Sequence, residues 1–71
     1  MNAILSEIKK SVELSYKPEY EALREKLDSM PECSRKKTAS ISSTIMWLAG
    51  DYDRAISILK QAIEQIERGE G

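Results

Sequence analysis

The sequence predicts an all-α protein of three to four short helices, and three observations carry that reading. Apolar residues recur at spacings of three and four through most of the chain. The breaks in that rhythm coincide with proline and glycine. No stretch alternates apolar and polar residues for long enough to make a strand, the few alternations around Ala39 and Ile41 lying inside a helical segment.

The N-terminal segment places Leu5, Ile8, Val12, Tyr16, Tyr20, Leu23, Leu27 and Met30 on one helical face. Pro18 interrupts it, because proline lacks a backbone donor and its ring crowds the preceding turn. The expectation is therefore two helices, 2–15 and 18–29, or one helical segment bent at Pro18. Met30-Pro31-Glu32-Cys33 forms the next break, since the residue before proline is pushed from helical angles. Ser34 is the expected N-cap of a second element over 35–49, which puts Ile41, Ile45 and Leu48 on one face and Ala39, Met46 and Ala49 beside it. Gly50 then supplies a left-handed residue to close that helix, and Asp51 caps the amides that open the last one, 52–68. Tyr52, Ile56, Leu59, Ile63 and Ile66 form its apolar face, and Glu64 is spaced to pair with Arg68. The helices 35–49 and 52–68 must fold back as an antiparallel hairpin against the N-terminal segment.

Length and composition bound the rest. The 71 residues allow one domain, 1–71, whose small core yields only a few kcal/mol of net stability, so self-association or a partner is expected. A hydrophobic fraction of 41% with 32% charged residues of both signs fits a folded soluble domain. A net charge of −1 gives no global pull toward nucleic acid. Histidine is absent, removing the usual general base near neutral pH and the commonest metal ligand. The lone cysteine, Cys33, cannot form an intramolecular disulfide, and a reducing, cytoplasmic setting is the simplest expectation. Met1 to Ser6 lacks a secretory pattern and no run of eighteen apolar residues spans a membrane. No enzyme activity, cofactor or metal is expected.

Several residues invite a sharper reading. Trp47 is the only tryptophan, a candidate binding anchor, although an indole at this position is more often a core or subunit-interface filler. Arg35, Lys36 and Lys37 crowd the positive end of a helix, so they are candidate anion-binding residues, set against the plainer reading of a solvated basic turn. Thr38, Ser40, Ser42, Ser43 and Thr44 offer hydroxyls to a ligand or permit close helix packing, and packing is the weightier explanation. Cys33 has no histidine base to activate it. Glu19, Glu21, Glu25 and Asp28, interleaved with Arg24 and Lys26, read as a mixed-charge exposed face.

The run from Leu48 to Glu64, with Gly50, Tyr52, Ala55, Leu59 and Ala62, resembles the second half of a tetratricopeptide repeat, and the wider likeness covers 36–66. The preceding helix departs from that pattern, with Ala39, Ser42 and Ser43 where the family usually buries larger residues. The resemblance implies a helical hairpin that binds peptides or proteins through the face formed here by Lys37, Ser40, Thr44 and Trp47.

The leading expectation is thus a non-catalytic protein-binding module, an adaptor, co-chaperone or inhibitor of a partner protein, of the size of phage or mobile-element regulators such as antirepressors and anti-defence proteins. It would work as a homo-oligomer or in a hetero-complex. The alternative is an oligomer that sequesters a phosphorylated or cyclic-nucleotide ligand on Arg35, Lys36, Lys37, Thr38 and Thr44. Ser34 to Lys37 followed by Met46 and Trp47 resembles hairpins of phage cyclic-nucleotide sponges, one helical turn shorter. A DNA-binding helix-turn-helix is third, disfavoured by the charge balance and the acidic last helix.

Overall fold

The computed structural model describes residues 3–69, with side chains from Lys10 onward. It contains three helices: α1, Ala3–Asp28; α2, Ser34–Leu48; and α3, Tyr52–Glu67. The described residues form no strand.

α1 corrects the expectation of a joint, because it runs unbroken through Pro18. The defect sits on the solvent side: Pro18 is exposed, and Leu14, whose carbonyl loses its intrahelical partner, is 62% exposed. A mid-helix proline costs about 3 kcal/mol. Tyr16 and Tyr20, on either side of it, pack against the other helices and help to offset that cost.

α2 begins one residue earlier than expected. Cys33, extended at φ −164° and ψ 167°, is its N-cap in place of Ser34, and its sulfur accepts a weak bond from the Lys36 amide at 3.4 Å. The hairpin turn forms as its residues require. Gly50 stands at φ +86°, which a side chain would strain, and the Asp51 carboxylate accepts from the Arg54 amide at 3.4 Å. α3 ends one residue short of the expected boundary, with Arg68 as C-cap and Gly69 again at φ +86°. Glu64 and Arg68 pair at 3.1 Å, as their spacing requires. Gly71 lies outside the described residues.

α3 is the centre of the molecule, antiparallel to α2 and parallel to α1. Parallel packing follows from the contacts Glu13 with Tyr52, Glu19 with Lys60 and Lys26 with Glu67, which rise together along both helices. At 26 residues α1 is about 39 Å long, whereas α3 begins only opposite Glu13. The N-terminal turns of α1 therefore run past the hairpin, giving dimensions of 49 × 17 × 14 Å.

The core joins Leu27 of α1, Ala39 of α2 and Leu59, Ala62 and Ile63 of α3, with Tyr20, Leu23, Met30, Ile58 and Ile66 against it. Ala55 and Ser43 are also fully buried. Alanine and serine at the α2–α3 seam let the two backbones approach closely, which is the packing role expected of the small residues. Among the described residues no helix is long and apolar enough to cross a membrane.

Candidate functional site

The three tyrosines and the tryptophan of the chain gather where the helices meet at the hairpin turn. Trp47, near the end of α2, stacks on Tyr20 of α1 with centroids 4.2 Å apart and planes 20° from parallel. Tyr52, at the start of α3, lies tilted against Trp47, 4.4 Å away, and Tyr16 stands 6.0 Å from Tyr52. Beneath them the Arg24 guanidinium donates to the Thr44 hydroxyl at 2.6 Å, the Ser40 carbonyl at 3.2 Å and the Tyr20 hydroxyl at 3.3 Å. Arg24 thus clamps α1 onto α2 and is no part of a solvated mixed-charge face. Only its i,i+4 relation to Tyr20 on the apolar stripe hinted at this.

The stripe Lys37, Ser40, Thr44 and Trp47 is therefore the surface on which α1 lies. Ser40 and Thr44 hold Arg24, Trp47 is half-buried under Tyr20, and Lys37 alone is exposed.

The three cations at the start of α2 diverge. Arg35 donates to the Gln65 amide oxygen and lines a groove of about 430 Å³ between α2 and α3, with Thr38, Ser42, Ile58 and Gln61. Lys36 turns back to the end of α1, donating to the carbonyls of Asp28 at 3.1 Å and Met30 at 3.0 Å and pairing with Glu32 at 3.3 Å. A cation that is misplaced at the N-terminus of its own helix is well placed at the C-terminus of another. Lys37 points to water. Of the expected anion cluster only Arg35 lines that groove.

Two phenols are held in the protonated form. The Tyr16 phenol is pushed above its ordinary value of 10.0 by its hydrogen bond to Asp53 and by that carboxylate's charge. Tyr52 is raised first by burial and then by the charge of Glu13, which accepts its hydroxyl proton at 3.5 Å. Among the described residues no group of three or more cysteine, aspartate or glutamate side chains comes together to hold a metal ion.

Among the described residues, three of the five exposed large hydrophobics lie on the outer face of α2. Ala39 and Ser43 point inward at 4% and 0% exposure, while Ile41, Ile45 and Leu48 point outward at 62%, 55% and 80%. The helix is inverted, small residues in and large aliphatics out. Periodicity placed those three aliphatics together; it could not say that the hairpin would bury the other face. Comparison with protein-family models, curated proteins and solved structures finds no match to this chain.

Proposed function

We propose that this protein is a non-catalytic helical module that works by protein–protein association, as an adaptor or inhibitor of a partner. The inverted α2 is the observation that carries the reading. Three large aliphatics in water weaken a chain whose core is already small, and burial against another polypeptide recovers what the fold leaves exposed. Ser40, Thr44 and Trp47 of the tetratricopeptide-like face are taken up by α1, so that face carries no part of this proposal. Affinity capture from the source cell, with the wild-type chain and Ile45→Asp side by side, tests it. A stoichiometric partner lost in the variant is the expected result. A chain that neither captures a protein nor associates with itself overturns the reading.

A second reading is supported by the groove beside Arg35, whose hydroxyl and amide lining suits a small anionic ligand. A co-purifying small mass lost on Arg35→Ala would favour it.

A further inference from the structure

We infer that the outer face of α2 is covered by a second copy of this chain, the two α2 helices packing antiparallel about a twofold axis near Ile45. This deepens the reading of that face as an interface and rests on it.

The face is nearly self-complementary. Ile41 stands four residues before Ile45 and Leu48 three after, so a twofold axis at Ile45 seats each Ile41 beside the partner copy's Leu48, and the residue that meets its own symmetry mate is itself aliphatic. A spacing of four and then three is that of a seam that packs on another helix at a crossing of about 20°. No charge lies within it, and its flanks Thr38, Thr44 and Ala49 are small enough for close approach.

The ends are complementary in charge. Lys37 is exposed one turn before Ile41 and makes no ion pair among the described residues. Asp51, which pairs with Arg54 at 3.5 Å, and Asp53, which accepts the Tyr16 hydroxyl, follow Leu48 at the other end, so that end keeps an excess of one carboxylate over Arg54. Antiparallel pairing brings each Lys37 toward the other copy's acidic turn; parallel pairing would set lysine by lysine and acid by acid. At 62%, 55% and 80% exposure, Ile41, Ile45 and Leu48 are the apolar surface that a second copy removes from water. A heterologous partner has no reason to match both the symmetry of the apolar residues and the opposite charges at the two ends.

The test is native mass measurement of the purified full chain across a concentration series, with circular dichroism to show that each variant keeps its helices. The wild-type chain is expected as a dimer. Ile45→Lys should weaken it at least about a hundredfold by placing two ammonium groups on the axis, and Lys37→Glu by roughly tenfold, more at low salt. Orientation is read in a Cys33→Ser background with a mild thiol oxidant. Ile45→Cys should cross-link to itself, while Ile41→Cys should cross-link to Leu48→Cys in a mixture and not to itself. A dimer indifferent to Ile45→Lys, or self-linking through Ile41→Cys, overturns the arrangement. A monomer that captures another protein through this face sinks the second copy alone, and a monomer that captures nothing sinks the interface as well.

Discussion

Tyr20 lies flat on Trp47, its ring centroid 4.2 Å away, so an aromatic from the middle of α1 closes over the last turn of α2. This stack and the Arg24 clamp below it are the main ties between α1 and α2, since α1 leans chiefly on α3. Docking of the long helix is thereby concentrated in few side chains.

The single tryptophan should therefore report that docking. Tyr20→Ala removes a half-buried ring, its stack and one Arg24 partner, and is expected to cost about 2–3 kcal/mol, a large share of what so small a domain has. Trp47 emission should shift to the red, and the urea midpoint should fall. Tyr20→Phe keeps the ring and should cost under about 1 kcal/mol. Equal losses for the two variants would show that the hydroxyl, and not the stack, holds α1.

Adjacent lysines should behave differently. Lys36 satisfies two carbonyls at the end of α1, while Lys37 reaches only water. Lys36→Ala is expected to destabilise the protein by about 1 kcal/mol, a cost typical of a lost helix cap, and Lys37→Ala to stay within about 0.5 kcal/mol under conditions where the chain is monomeric. Chemical denaturation at low protein concentration measures both. A neutral Lys36→Ala would mean that water replaces the ammonium without loss.

Much of the fold was legible because its signals are local. Spacing gave the inward faces of α1 and α3 but not of α2, whose Ile41, Ile45 and Leu48 face outward, and Gly50 with Asp51 gave the turn within a residue. Pro18 misled because its cost depends on whether the orphaned carbonyl meets water, which only the packed helix decides. The Lys37, Ser40, Thr44 and Trp47 stripe was found as a surface, but which helix would lie on it is a long-range fact. The basic turn was found as a cluster, yet three consecutive residues on a helix point about 100° apart, so Arg35 went to Gln65, Lys36 to the end of α1 and Lys37 to water.

Alkaline pH should loosen the hairpin end. Tyr16 and Tyr52 have folded pKa values above the ordinary 10.0, one through its bond to Asp53 and the other through burial beside Glu13. Below pH 10 both phenols are protonated in the folded and unfolded chain, and their contribution to stability is complete. Above it the unfolded phenols ionise first, so stability is lost as the pH rises through the folded values. Melting temperatures taken from pH 8 upward, on the order of half a unit apart, should fall beyond pH 10, and Tyr16→Phe with Tyr52→Phe should flatten that fall. An unchanged slope in the double variant would assign the loss to other groups.

Ser43 is fully buried, yet its hydroxyl contributes less than its size. The Oγ donates to the Ser40 carbonyl at 3.2 Å, which also receives Thr44 Oγ1 at 2.8 Å and Arg24 at 3.2 Å. Ser43→Ala leaves that carbonyl satisfied and exchanges serine for the better helix former, so it should change stability by less than about 0.5 kcal/mol in either direction. Ser43→Leu has no space at a position that is 0% exposed one turn from the buried Ala39, and forcing α2 from α3 should cost about 1–3 kcal/mol or more. Thermal unfolding followed by circular dichroism separates the two roles. If Ser43→Ala lowered the midpoint as far as Ser43→Leu, the hydroxyl would be the reason for serine here; if only the leucine did, the reason is the distance between two backbones.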